Sequence, residues 1–172
     1  MDHTPYDGSR IWIGDHFDKH RTLVLGESYF GTYEGDMETD EAYLREFVAG
    51  RQYDKLFEKI CRSLGMDRGE FWHQVAFTNL VIGSIGPTGA STAKEDQFRS
   101  GCPRLAALIS TYKPERVWIL GKGQGRHSGR VCKAAGVRYE VIGHPTGKNN
   151  MNVNGRVLPE HLVESWNRLN AA

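Results

Sequence analysis

The chain has 172 residues, of which 39% are hydrophobic and 25% are charged, and its mean hydropathy is −0.52. This composition is typical of a globular protein with one core, so we expect a single domain over residues 1–172. The apolar runs are far shorter than the roughly 20 residues that a membrane-spanning helix needs. Three cysteines without a close pair argue against a disulfide framework or a zinc ribbon. We expect a cytoplasmic protein with reduced thiols that needs no metal and no cofactor.

Charge is distributed unevenly along the chain. Residues 1–60 carry 13 acidic and seven basic side chains, whereas residues 113–156 carry nine basic and two acidic ones. The formal net charge of the whole chain is only +1. The basic segment indicates a face that binds an anion, and the alternative is a solvated surface without a partner.

Four short apolar runs predict buried strands. These strands cover residues 22–25, 75–81, 116–120 and 137–142. Helical patterns predict helices at residues 39–49, 53–64, 103–112, 126–135 and 158–169. Pro103 is expected in the first turn of its helix, where proline is favoured. A loop is expected at residues 83–92, and a turn at residues 121–125.

Strands that alternate with helices predict parallel β-α-β units. We therefore expect an α/β fold, a single-domain three-layer α/β/α sandwich with a central, mostly parallel four-stranded sheet. In such folds ligands bind at the carboxyl edge of the sheet, where four segments would converge. These segments are Gly26-Glu27-Ser28, Asn79, Gly121-Lys122-Gly123 and Gly143-His144-Pro145.

The segment after the first strand carries several groups that suit catalysis. Gly26 lets the backbone turn and approach a ligand. Glu27 and Ser28 can position a water molecule, and Ser28 can act as a nucleophile beside a base. Tyr29 and Phe30 offer flat faces for stacking on a planar ring. The structural alternative is that Ser28 caps a helix and the two aromatic residues fill the core.

Asn79 and His144 each follow a predicted strand. The Asn79 amide has both a donor and an acceptor, the pattern that pairs with an imide edge such as that of uracil, although many strand-end asparagines only form turns. A neutral histidine at this edge can stabilise a developing oxyanion, and it can also act as an acid or a base. No histidine spacing typical of a metal site is present, so a metal is not expected.

The glycine-rich run before the basic helix suits a phosphate. Lys122, Arg126 and the backbone amides of the helix N-terminus are the groups that would hold it. The run lacks the spacing of a P-loop, so a nucleotide triphosphatase is not predicted.

In their order along the chain, these segments resemble the uracil-DNA glycosylase superfamily. The matching motifs are Gly26-Glu27-Ser28-Tyr29-Phe30 after the first strand, Thr78-Asn79 at a strand end, and His144-Pro145-Thr146-Gly147. The helix, lysine-proline turn and strand from Cys102 to Gly121 also resemble that superfamily. The resemblance covers roughly residues 22–150.

The chain departs from the superfamily at several positions. Ser28 stands where the best-known branch has its catalytic aspartate, and Tyr29 replaces the proline of the iron–sulfur branch. Only Cys102 matches a cluster ligand, so no iron–sulfur cluster is expected. Residues 148–151 lack the leucine that usually follows the second motif. These differences indicate a divergent branch.

The resemblance implies that the protein hydrolyses the N-glycosidic bond of uracil, or of another deaminated base, after flipping the nucleotide out of DNA. It assigns His144 to the departing base and Glu27 or Ser28 to the attacking water, with the choice between these two left open. It assigns the base pocket to Gly26, Tyr29, Phe30 and Asn79. The residues implied to contact DNA are Lys122, Gly123, Gln124, Pro145, Thr146, Gly147, Lys148 and Asn149.

Two other functions remain open at this point. Gly26 to Phe30 nearly forms the Gly-x-Ser-x-Gly motif of serine hydrolases, with Ser28 as nucleophile and His144 as base, but Phe30 occupies the last glycine position. A nucleic-acid binding module that keeps the fold without turnover is the other alternative, and the missing aspartate favours it.

Overall fold

The computed structural model describes residues 11–28, 40–82, 93–146 and 157–171. The described part contains one sheet, whose strands lie in the order β1-β3-β2-β4-β5. β1 pairs with β3 in the antiparallel sense, and the remaining pairs are parallel. The strands are β1 (Trp12–Ile13), β2 (Thr22–Gly26), β3 (Val75–Asn79), β4 (Arg116–Leu120) and β5 (Arg138–Ile142).

Helices connect the strands of this sheet. The described helices are α1 (Phe17–His20), α2 (Asp40–Val48), α3 (Lys55–Leu64), α4 (Arg68–Trp72), α5 (Glu95–Tyr112), α6 (Lys122–Ala134) and α7 (Pro159–Asn170). Local signals define several of their ends. The Asp54 carboxylate accepts a hydrogen bond from the Phe57 backbone N–H and begins α3, and Gly65, in the left-handed conformation, ends it.

The sheet is apolar on both faces, and each face is covered by helices. On β4, Trp118 and Leu120 pack into one hydrophobic cluster, with side chains of α2, α3, α4 and α7. Val117 and Ile119 pack into a second cluster, with side chains of α1, α5 and α6. Successive residues of a strand point to opposite faces, so a strand buried on both faces is a continuous apolar run.

The predicted α/β class is confirmed, but the predicted number of strands is wrong. The sheet of the described residues is mixed and has five strands, because the edge strand β1 adds to the four predicted ones. β1 contains only two residues, Trp12 and Ile13, which is too short for a recognisable sequence pattern. The short helices α1 and α4 also carry no clear periodic signal.

Two predicted helix starts are wrong. Helix α5 begins at Glu95, and the exposed Pro103 lies inside it, where water can hydrate the carbonyl group that loses its N–H partner. Helix α6 begins at Lys122 instead of following a turn at residues 121–125. Its glycines allow close packing on β5, since a Cβ atom on Gly125 would lie 2.4 Å from Cγ1 of Val141. The loop predicted at residues 83–92 lies outside the described residues.

Candidate functional site

The segments that follow the four parallel strands lie side by side at one edge of the sheet. Gly26 on β2 pairs in register with Asn79 on β3, and Leu120 on β4 pairs with Ile142 on β5. Because β2 also pairs with β4, the four strand ends form one continuous row. The row brings the backbones of the predicted motifs to the carboxyl edge, where α/β folds bind their ligands.

Asn79 is held by a buried carboxylate that is distant in the sequence. Asp40, the first residue of α2, accepts a hydrogen bond from Nδ2 of Asn79 at its Oδ1 atom, at 2.8 Å. Its Oδ2 atom accepts from the Asn79 backbone N–H at 2.8 Å and from the Thr78 hydroxyl at 2.7 Å. Asp40 is only 6% exposed and Asn79 only 7%. The orientation of the Asn79 amide is therefore defined by its surroundings.

Arg104 from α5 extends this network. Its Nη1 atom donates to the backbone carbonyl of Asn79 at 2.9 Å, and its Nη2 atom donates to Oγ1 of Thr78 at 2.7 Å. Burial raises the pKa of the Asp40 carboxyl, while its hydrogen bonds and the nearby Arg104 charge oppose that rise. Asp40, Thr78 and Arg104 were not among the predicted site residues. Asp40 has the sequence signature of an ordinary acidic first turn, which does not indicate a contact with β3.

Gly26 is required by the position of the asparagine. A Cβ atom built on Gly26 would lie 2.3 Å from Oδ1 of Asn79 and 3.1 Å from Cζ of Phe77. The first of these distances is far below van der Waals contact, and Asp40 restrains the amide from moving away. The glycine therefore leaves the space that the Asn79 side chain occupies between β3 and β2.

Glu27 lies beside the N-terminus of α6. Its Oε2 atom is 2.6 Å from the point where a Cβ on Gly121 would be and 3.8 Å from the corresponding point on Gly123. Gly121 has φ = 141°, a conformation that side chains rarely adopt, so glycine is favoured here for two reasons. Burial raises the pKa of the Glu27 carboxyl. The first backbone N–H groups of a helix have no partner within the helix, and they favour an anion at this place.

His144 lies two residues beyond β5 and is half-buried. The Thr146 backbone N–H lies 3.3 Å from Nδ1 and donates to it, and the Thr146 hydroxyl lies 3.2 Å from the same atom. Burial lowers the pKa of His144. A neutral ring that accepts at Nδ1 carries its proton at Nε2. His144 is therefore arranged as a neutral donor, with Nε2–H as the donating group.

Lys59, on α3, anchors the segment that contains His144. Its ammonium group donates to the backbone carbonyl of Pro145 at 2.7 Å and to that of Val157 at 2.6 Å. These bonds connect α3 to two segments that are 86 and 98 residues away in the sequence. The sequence contains no signal for this role, since Lys59 appears there as one of several charged residues of an amphipathic helix.

The other predicted site residues have different positions. Lys122 and Gly123 are exposed in the first turn of α6, whereas the side chain of Gln124 is fully buried. Gln124 donates to the backbone carbonyls of Leu120 and Leu25, so it supports the fold and offers no surface to DNA. Pro145 is buried and Thr146 is half-buried against His144. Tyr29, Phe30, Gly147, Lys148 and Asn149 lie outside the described residues.

Ser28 is half-buried at the end of its described segment. Within the part of the chain that the structure describes, no hydrogen bond joins Ser28 to His144, whose Nδ1 is engaged by Thr146. The nucleophile–base contact that defines a serine hydrolase site is therefore not observed between these two residues.

A scan against protein-family models finds no match, and a search of curated proteins also finds none. In the described ranges, no helix combines the length and the apolar character needed to cross a membrane.

Proposed function

We propose that this protein is a monomeric, cytoplasmic DNA glycosylase with the uracil-DNA glycosylase fold. It hydrolyses the N-glycosidic bond of uracil, and of other deaminated bases, and leaves an abasic site. The observation that carries the proposal is the arrangement of His144, a neutral histidine whose Nδ1 accepts from Thr146 at the edge of the sheet where ligands bind.

The chemistry of base release explains why such a histidine is needed. Breaking the bond leaves negative charge on the departing base and positive charge on the sugar. A donor fixed at a base oxygen stabilises the negative charge as it forms, and a neutral imidazole donates through Nε2–H. By analogy with single oxyanion donors, this contact contributes about 2.7–4 kcal/mol to catalysis.

Glu27 is the better candidate for the group that positions the water. Its carboxylate can accept a proton from water and can stabilise the sugar cation electrostatically, whereas the Ser28 hydroxyl carries no charge. Burial raises the pKa of the Glu27 carboxyl, so its ionised form accepts a proton more readily. This change suits a general base. Asn79, held by Asp40, reads the imide edge of the base.

Helix α6 supports binding of the DNA backbone. Lys122 and Arg126 are exposed in the first turns of this helix, and the ion pairs among the described residues include neither of them. Exposed cations such as these neutralise phosphate groups of DNA. The binding energy then offsets the few kcal/mol that flipping a nucleotide costs.

The decisive experiment is base excision from a labelled single-stranded oligonucleotide with one uracil, in the presence of EDTA, followed by cleavage with hot alkali. We expect a break at the uracil with the wild-type protein. His144→Ala should slow the single-turnover rate by about 100- to 1,000-fold, which corresponds to the loss of one oxyanion donor. Lys122→Ala should have a much smaller effect, because it removes one phosphate contact.

A matched histidine control distinguishes catalysis from stability. His20 is exposed and precedes β2 at the opposite edge of the sheet, so His20→Ala should retain the wild-type rate. Equal losses of the single-turnover rate in His144→Ala and in Lys122→Ala would contradict the roles assigned to these two residues. An intact uracil strand with the wild-type protein contradicts the proposal for uracil, and hypoxanthine and xanthine are then tested. Salt-sensitive binding without cleavage identifies a binding module, and labelling of Ser28 by a fluorophosphonate identifies a serine hydrolase.

A further inference from the structure

The Asp40 carboxylate is surrounded by hydrogen-bond donors. The Thr78 hydroxyl accepts a hydrogen bond from Nη2 of Arg104 and donates its own proton to Oδ2 of Asp40. The Asn79 backbone N–H points to the same oxygen, and the Asn79 side chain donates to Oδ1. An ionised carboxylate accepts hydrogen bonds and donates none, which matches this arrangement.

This arrangement permits one orientation of the Asn79 amide. With Nδ2 against Asp40, Oδ1 lies on the other side, next to the backbone of Gly26. Turning the amide by 180° would place Oδ1 against Oδ1 of Asp40, where two acceptors repel each other and one buried bond is lost. The amide therefore presents Oδ1 and the second hydrogen of Nδ2 in a defined order.

We propose that Asp40 is a positioning residue that fixes this order of the Asn79 amide. The site then selects a base with a ring N–H beside a carbonyl over a base with an accepting ring nitrogen beside an amino group. The proposal rests on the proposed glycosylase function. Uracil presents an N–H to an acceptor and a carbonyl oxygen to a donor. Cytosine presents a ring nitrogen that accepts and an amino group that donates, so it pairs only with the inverted amide. Asp40 excludes that inversion.

Arg104 supports the same selection through its hydrogen bonds to the end of β3. It holds Thr78 and the Asn79 backbone carbonyl, so the strand end cannot shift to relieve a mismatched base. The selection thus depends on groups that do not contact the base, and each lies in a different element: α2, β3 and α5.

The test compares excision of uracil and of cytosine from otherwise identical single-stranded oligonucleotides. In Asp40→Asn the Asn79 backbone N–H holds the new amide oxygen at the position of Oδ2, so the new NH2 group faces the Asn79 side chain and favours the inverted amide. We expect the preference for uracil over cytosine to fall by at least about tenfold in this variant, since the mismatch of buried hydrogen bonds is relieved. An unchanged preference, with uracil still excised, overturns the proposal.

Ser165→Ala is the control. It removes the buried hydrogen bond from Trp118 to Ser165, which lies outside the Asp40 network, so it should lower stability and retain the preference. An equal loss of preference in Ser165→Ala shows a general loosening and overturns the proposal. If the wild-type protein releases no uracil, the glycosylase function itself fails, which is a different result.

A second measurement tests whether the Asn79 amide is fixed, and it applies when Asp40→Asn does not fold or is inactive on both bases. Hydrogen exchange of the two Nδ2 protons of Asn79 is measured by NMR in the wild-type protein. We expect one proton, the one bonded to Asp40, to exchange much more slowly with water than the other. Equally fast exchange of both protons contradicts a fixed amide.

Discussion

Gly26 shows how one missing side chain defines the geometry of the site. In Gly26→Ala the new Cβ would lie 2.3 Å from Oδ1 of Asn79, so the amide must move away from its position beside β2. We expect the single-turnover rate of base excision to fall by about 100-fold, since a displacement of about 1 Å has effects of that size. Gly69→Ala is the control, because its Cβ would meet its nearest neighbour at 3.5 Å. A full rate in Gly26→Ala would contradict the role of the Asn79 amide.

In the proposed glycosylase reaction, the protonation of His144 predicts how the rate depends on pH. Burial holds the pKa of His144 below its usual value of 6.5, so the ring is neutral at neutral pH. The activity and the stability that depend on the neutral ring are present above pH 6.5. The activity is lost as the pH falls through the lowered pKa because the ring becomes protonated. The stability is lost over the same range because the unfolded chain, in which His144 has the higher pKa, binds the proton more readily. The acid limb of the rate profile should therefore have its midpoint below pH 6.5.

Lys59 provides a test of this assignment. Its positive charge lowers the pKa of His144, whereas Asp54 raises it. Lys59→Met should move both the NMR titration of His144 and the acid limb to higher pH. Lys55→Met, an exposed lysine on the same helix, should leave both unchanged. A midpoint that stays in place in Lys59→Met would show that the acid limb reports another group.

The proposed binding of DNA along helix α6 predicts a graded contribution from its basic residues. Lys122, Arg126, Arg130 and Lys133 are exposed along it, and the helix leads away from the carboxyl edge at about 1.5 Å per residue. The double variant Lys122→Gln, Arg126→Gln should reduce the slope of log affinity against log salt by about 0.7 for each phosphate that is no longer neutralised. A second double variant, Arg130→Gln with Lys133→Gln, removes the same amount of charge farther from the site and should change the slope less. Fluorescence anisotropy with a uracil oligonucleotide measures both slopes, and equal slopes would contradict this binding direction.

At the scale of the whole molecule, α7 completes the core on one face of the sheet. Nε1 of Trp118 on β4 donates to Oγ of Ser165 on α7 at 2.9 Å, and both side chains are fully buried. Ser165→Ala leaves the indole N–H without this acceptor, which should cost about 1–3 kcal/mol of unfolding free energy. For a chain of this size the melting temperature should fall by about 2–4 °C for each kcal/mol. Calorimetry measures the change, and Ser110→Ala, at an exposed position of α5, should cause no loss.

The secondary structure was largely predictable where the local pattern is strong. β4 was predicted with both of its observed ends, because a proline and a glycine flank a continuous apolar run. Helix α6 was shortened in the prediction because glycines usually indicate turns. Here packing decides instead, since Gly125 and Gly129 allow the helix to approach Val141 and Tyr139.

The sequence by itself determined the α/β class and the row of polar and glycine-rich segments at the carboxyl edge of the parallel strands. Only the tertiary structure decided which distant residues hold those segments. Asp40 and Arg104 lie 39 and 25 residues from Asn79, and both become its buried partners. The reason is physical: apolar periodicity is a local property that the chain displays directly. A buried polar network, in contrast, forms only after packing has brought its members together and removed water from them.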